Sequence, residues 1–237
     1  MVESGQVAVI VPAAGRGERL GPGAPKALRD LDGSPMLVHA VKALTAARSV
    51  DVIVVAAPSE DVESVRALLG HLDGVQVSVV AGGDTRQESV ARALIGLGPE
   101  IDVVLVHDAA RPLVPAALVD AVVAAVRSGA QAVVPGLQLS DTVKQVDAAS
   151  TVVGTPDRAA LRAIQTPQGF RRETLRQAHA VVDPDEPVLT DDAGLVERLG
   201  IDVAVIPGHE ENFKVTRPID LALAEAVLAR RRATDVR

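Results

Sequence analysis

Six short apolar runs constrain this chain most: Val7–Val11, Val50–Ala56, Val75–Val80, Val103–Val106, Ala132–Pro135 and Val203–Ile206. Their apolar residues are consecutive rather than alternating. Such runs suit strands covered on both faces, as in a parallel sheet with helices on each side. Helical patterns fill most of the gaps, at Pro35–Ala47, Glu60–Leu69, Arg86–Leu97, Pro115–Ser128, Arg171–Val181, Asp191–Leu199 and Ile219–Arg231. Pro115 and Gly200 supply start and stop signals. The alternation predicts an α/β fold, a three-layer, doubly wound and mostly parallel sheet. The 237 residues suit one domain spanning 1–237. From about Gly136 to Gly169 the alternation lapses. Two polar strand-like pieces there, Asp141–Val146 and Arg162–Thr166, predict a protruding β-arm, because long irregular stretches inside compact domains are usually functional or mobile.

Composition removes several function classes. With two Phe, no Trp, no Tyr and a formal net charge of -7, the chain offers neither stacking platforms nor a basic face, so nucleic acid is not an expected partner. The absence of Cys excludes disulfides, thiolate zinc sites and a cysteine nucleophile, and is compatible with a reducing cytoplasm. Met1–Pro12 has no basic n-region, and the apolar runs are short and interrupted, so no signal peptide or membrane span is expected. A cytoplasmic location follows as the expectation.

Three loops at strand ends carry the polar chemistry. The first strand runs into Pro12-Ala13-Ala14-Gly15-Arg16-Gly17-Glu18-Arg19-Leu20, with Pro25-Lys26 following. In an open α/β sheet the ligand crevice lies beyond the C-terminal strand ends, where a Gly-rich loop lets phosphate oxygens reach backbone N–H groups. The third glycine of a dinucleotide fingerprint is missing, and no Gly precedes Lys26 as a P-loop requires. Alone, the Gly pair would read as a surface turn flanked by two solvated cations. The second loop, Ala81-Gly82-Gly83-Asp84-Thr85-Arg86-Gln87-Glu88-Ser89, precedes a helix that either Asp84 or Thr85 would cap. Gly82 and Gly83 permit close approach of a flat ligand, and Ser89 stands one helical turn on, placed to offer its hydroxyl to a base edge. The third, His107-Asp108-Ala109-Ala110-Arg111-Pro112, puts a carboxylate at a strand end. Asp108 is there the candidate ligand for Mg²⁺ or another divalent cation bound with phosphates, or else a structural salt-bridge partner of Arg111. His107 reads as packing or a supporting hydrogen bond, since no other His or Cys lies at metal-site spacing.

These motifs resemble the 2-C-methyl-D-erythritol 4-phosphate cytidylyltransferases of the non-mevalonate isoprenoid pathway. The resemblance runs on through Asp141-Thr142-Val143-Lys144, Asp157-Arg158, Gln165-Thr166-Pro167-Gln168, Thr190-Asp191-Asp192-Ala193 and Lys214-Val215-Thr216-Arg217-Pro218. It implies a Rossmann-like nucleotidyltransferase fold and a direct attack of the acceptor's phosphate oxygen on the α-phosphorus of CTP, with pyrophosphate leaving. Arg19, Lys26, Arg158 and Lys214 would be catalytic. Pro12, Ala13, Ala14, Gly15, Gly17, Arg19, Lys26, Gly82, Gly83, Asp84 and Ser89 would bind the nucleotide. Asp108, Arg111, Thr142, Arg158, Thr166 and Lys214 would bind the polyol phosphate, and the enzyme would be a homodimer whose arm carries Thr142 and Arg158 to the other subunit. Ala27-Leu28 and Phe213 depart from the family pattern, at positions without an assigned chemical role. Two other readings remain: a ribitol 5-phosphate cytidylyltransferase, which shares fold and nucleotide, and a non-catalytic nucleotide-binding module.

Overall fold

The computed structural model describes residues 5–15, 25–72, 74–181 and 189–235. The chain order is β1 Gln6–Pro12, a small hairpin of β2 Asp30–Leu31 and β3 Ser34–Pro35, α1 Met36–Thr45, β4 Val52–Ala57, α2 Val62–Leu69, β5 Gln76–Ala81, α3 Arg86–Ile95, β6 Ile101–Val106, α4 Ala116–Arg127 and β7 Ala132–Gln138. The arm strands β8 Gln145–Val146 and β9 Val152–Gly154 follow, then β10 Arg162–Ile164, β11 Gln168–Arg171, α5 Arg172–Ala180, α6 Asp192–Arg198, β12 Val203–Pro207 and α7 Pro218–Asp235.

All six predicted strands lie in one eight-stranded sheet, ordered β10-β7-β11-β6-β1-β4-β5 with β12 also on β7. β1 is hydrogen-bonded in parallel to β4 on one side and β6 on the other. The chain thus winds outward from β1 through β4 to β5, then returns to β6, which makes the β1/β6 boundary the switch point where a crevice opens. Alternate residues of each strand feed opposite layers. Val7, Val9, Val11, Val103 and Leu105 pack with α1, α2 and α4. Ala8, Ile10, Val104 and Val106 pack with α3, α5 and α6. Helix α7 docks separately through Ala224 and Val227 onto Leu31, Met36, Leu113 and Val215. Among the described residues no helix is long and apolar enough to cross a membrane.

Two departures from the sequence-based expectation concern the stretch after β7. The predicted strand at Arg162–Thr166 belongs to the main sheet, antiparallel to β7, so the arm proper is only the β8/β9 hairpin. Directly after it, β11 inserts antiparallel between β6 and β7. Gln-Gly-Phe-Arg has no apolar run to announce a strand, yet Phe170 is fully buried. Gly169 permits this insertion beneath α4, because a Cβ there would stand 2.4 Å from Val122 Cγ1. Between β10 and β11 the run along β7 is interrupted at Gln165–Pro167, with a cis Thr166–Pro167 bond.

Candidate active site

A cleft of about 300 Å³ opens at the switch point, across the ends of β1, β5 and β6. Pro12, Ala13, Ala14, Gly15, Lys26, Gly83, Asp84, Ser89, Asp108 and Lys214, all singled out in the sequence, line it together with Arg86. Gly17 and Arg19 lie outside the described residues.

One wall is built from backbone and small side chains. Ala13 N–H donates to Ala56 O at 2.8 Å and Gly82 N–H to Ala57 O at 2.7 Å, extending the β1/β4/β5 ladder into the loops. Arg92 holds the Gly82 carbonyl. Thr85, not Asp84, caps α3, accepting from Glu88 N–H at 3.0 Å, while the Glu88 carboxylate accepts from Asp84 N–H at 2.9 Å. This reciprocal arrangement resembles a capping box, and it leaves the Asp84 side chain exposed in the cleft. Ser89 is buried; its hydroxyl donates to Thr85 O at 2.9 Å and accepts from Gly83 N–H at 3.0 Å. Its proton is therefore engaged, and only a remaining lone pair can meet a ligand donor.

The opposite wall is ionic. Asp108 Oδ2 receives Lys214 Nζ at 2.7 Å, with Arg111 Nε at 3.9 Å, and Oδ1 receives Arg86 Nε at 3.3 Å. Burial alone would raise the Asp108 carboxyl, but Arg86, Lys214 and Arg111 outweigh it and hold it well below the usual carboxylate range. Arg86 is itself anchored by fully buried Asp192 at 2.6 Å, which also meets His179 Nε2 at 2.9 Å. Arg86 and Asp192 had no assigned role in the sequence reading. Their only signal was membership of the Gly82–Ser89 and Thr190–Ala193 motifs, whose partnership spans 106 residues and is invisible to spacing.

Beneath this wall Thr166 accepts from Asp108 N–H at 3.0 Å, and its oxygen is 3.1 Å from His107 Nδ1. His107 Nε2 stands 3.1 Å from Arg111 O. A carbonyl only accepts, so the imidazole carries its proton on Nε2 and the Thr166 hydroxyl donates to Nδ1. Burial pushes His107 down to about 4, in keeping with this neutral tautomer. Arg111 is likewise buried, donating to Asn212 O at 2.7 Å and Ile164 O at 3.3 Å. Arg111 and Thr166 therefore underlie the cleft and do not line it. Thr142 and Arg158 sit elsewhere: Thr142 is exposed just ahead of the arm, and Arg158, bonded to Ser140 O, lines a separate hollow with Leu139 and Arg162.

Asp108 does not fit the expected role of direct metal ligand. Both of its oxygens already face cations, Arg86 at one and Lys214 at the other. A divalent cation bound there would displace Lys214 or Arg86 and sit beside the remaining positive charges.

The family model for 2-C-methyl-D-erythritol 4-phosphate cytidylyltransferase (IspD) matches residues 7–230. A protein of that name from Streptomyces avermitilis is 59% identical over 239 residues, covering 97% of this chain and 94% of its own. One from Nocardia farcinica is 53% identical, covering 97% and 96%. Among solved structures, 4-diphosphocytidyl-2C-methyl-D-erythritol synthase from Anaerococcus prevotii superposes with a TM-score of 0.84 at 28% identity, covering 96% of this chain and all of that one. The Thermus thermophilus 2-C-methyl-D-erythritol 4-phosphate cytidylyltransferase gives a TM-score of 0.75 at 36% identity, covering 94% and 98%. With its switch-point cleft, glycine wall and cations gathered on buried Asp108, the chain belongs to the 2-C-methyl-D-erythritol 4-phosphate cytidylyltransferase family.

Proposed function

We propose how this cleft carries out the reaction of its family. The chain is a CTP-dependent cytidylyltransferase that forms 4-diphosphocytidyl-2-C-methyl-D-erythritol and pyrophosphate in the non-mevalonate pathway. A phosphate oxygen of the acceptor attacks the α-phosphorus of CTP. The new P–O bond forms as the bond to the β-phosphate oxygen breaks, and pyrophosphate leaves with that electron pair. No covalent enzyme intermediate is needed. The protein supplies position and charge stabilisation.

The observation carrying this reading is the placement of Lys26 and Lys214 on one cleft. Bringing two anionic reactants together incurs Coulomb repulsion. Lys26, together with Arg19, serves the triphosphate. Lys214, half-exposed and held by Asp108 at 2.7 Å, serves the acceptor phosphate, which competes with Asp108 for the ammonium. Gly82 and Gly83 admit the cytosine edge against backbone, Asp84 faces the nucleotide, and Ser89 keeps the glycine turn in shape. Arg111 and Thr166 act from below, by fixing Asp108. The divalent cation belongs with the triphosphate as part of the nucleotide substrate, and Asp108 has no part in holding it.

We further read residues 1–237 as one nucleotidyltransferase domain that works in the cytoplasm as a homodimer. Val146, Val152 and Val153 are each more than half exposed on the short β8/β9 arm, apolar surface that a second subunit would cover. Thr142 and Arg158 of one subunit then serve the other's cleft.

The test is the stereochemistry at phosphorus. A single in-line displacement inverts configuration when CTP carries a chiral α-phosphorothioate, and product analysis by 31P NMR reads it out. Retention would require a covalent intermediate and overturn this course.

A further inference from the structure

We infer that Asn212 is a positioning residue for the acceptor half of the cleft. Its side-chain amide ties the interruption between β10 and β11 to the loop that presents Lys214. This rests on the reading of Asp108 and Lys214 as the acceptor wall.

Asn212 is fully buried and touches neither the cleft nor solvent. A buried amide is tolerated only where hydrogen bonds replace water. Its Nδ2 donates to Thr166 O at 2.7 Å and faces Gln165 Oε1 at 3.4 Å. Both are acceptors, so the amide can point only one way, nitrogen toward them. Buried Gln165 reinforces the clasp. Its Nε2 donates to His209 O at 3.0 Å and Asn212 O at 3.2 Å, and its Oε1 accepts from His209 N–H at 3.0 Å.

The clasp closes a small ring of interactions around the ion pair. From Asn212 one path runs along the chain for two residues to Lys214. The other runs through Thr166, whose hydroxyl receives Asp108 N–H at 3.0 Å. The two paths meet at the 2.7 Å Lys214–Asp108 contact. Val215 N–H, donating to Ala110 O at 2.8 Å, braces the same loop against the β6 end. Fixed on both sides, the loop that carries Lys214 and the β6 end that carries Asp108 keep their spacing when an acceptor phosphate draws the ammonium away from the carboxylate. The glycine wall is held by other bonds, to Ala56, Ala57, Thr85 and Arg92, none of which passes through Asn212. Loss of the clasp therefore falls on one substrate alone.

Steady-state kinetics of the full-length protein with CTP, Mg²⁺ and 2-C-methyl-D-erythritol 4-phosphate test this, comparing Asn212→Asp, Gln165→Met and Lys214→Ala with the parent. Asn212→Asp keeps the shape but turns a carboxylate oxygen toward two acceptors. Gln165→Met keeps the volume and removes the clasp's reinforcing bonds, so it carries the test if the first variant does not fold. A displacement near 1 Å at a reacting group costs up to about 10²-fold, so an acceptor KM raised about tenfold or more is expected, with CTP KM within about twofold. Gln165→Met should move the same way by less. Equal rises in both KM values would mark a merely structural role and overturn the inference. So would an unchanged acceptor KM in folded clasp variants when Lys214→Ala raises it. If Lys214→Ala also leaves acceptor KM unchanged, the acceptor-wall reading fails and takes this inference with it.

Discussion

Replacing Gly82 by Ala should separate nucleotide binding from acceptor binding. A Cβ at this position would stand 2.8 Å from Ala14 Cβ, 2.9 Å from Ser89 Oγ and 3.2 Å from Ala57 O. Carbon atoms rest about 3.5–4.0 Å apart, so the Ala14 side or the residue itself must move by about 1 Å. Residue 82 has little room to retreat, because its N–H is bonded to Ala57 O at 2.7 Å and its carbonyl is held by Arg92. The strain therefore opens the gap between the β1 loop and α3, where the nucleotide base is proposed to lie. Overpacking of this kind destabilises by about 1–3 kcal/mol, and a misplacement of about 1 Å lowers kcat/KM for CTP by up to about 10²-fold. Urea unfolding gives the first quantity, and pyrophosphate release measured against CTP at saturating acceptor gives the second. Acceptor KM should hardly change. A folded variant with parental kcat/KM for CTP would refute the assignment of this wall to the base. Gly15→Ala is the steric control, since a Cβ there meets nothing within 4 Å, and its stability should stay within about 0.5 kcal/mol of the parent.

Three further outcomes are expected. His107 has a folded value near 4 against 6.5 for an ordinary imidazole; between those limits the unfolded chain takes up a proton that the native state refuses. Its contribution is thus complete above pH 6.5 and lost as pH falls toward 4, about 3 kcal/mol in all. Urea titrations at pH 7 and pH 5 should show this slope flattened in His107→Gln, and an identical slope in the variant would contradict it. Asp192→Asn removes the buried charge that partners Arg86 and His179, and should cost about 3–5 kcal/mol in denaturant unfolding; a loss below about 1 kcal/mol would show that the pair is not a structural anchor. If the arm serves the opposite subunit, inactive Arg158→Ala and Lys26→Ala proteins, refolded together, should regain about a quarter of parental activity, because half of the dimers then hold one intact site. No recovery would place Arg158 on its own subunit's cleft.

The layers of the fold were legible because consecutive apolar runs and helical patterns are local signals, and all six predicted strands lie in the main sheet. β11 was not, since Gln168–Arg171 owes its strand to hydrogen bonds from β6 and β7 on both sides, which no short-range pattern encodes. For the same reason Arg162–Ile164 read as part of the arm until its pairing with β7 was seen. At the site, the glycine loops and Asp108 stood out because strand ends are where such a sheet meets ligands. What spacing could not reveal was depth. Arg111 and Thr166 look like contact residues in sequence yet spend their polar groups on Asn212, Ile164, His107 and Asp108. Asp108 read as a metal ligand or as a partner of Arg111 alone, whereas Arg86 and Lys214 also approach it, from segments 22 and 106 residues away in sequence.

The central claim is that this cleft joins CTP to one polyol phosphate. It is tested most directly by pyrophosphate release from the purified protein with CTP and Mg²⁺, run in parallel with 2-C-methyl-D-erythritol 4-phosphate and D-ribitol 5-phosphate. Release with the methylerythritol substrate, and little with ribitol phosphate, is the predicted result; release with ribitol phosphate alone, or with neither, would contradict it.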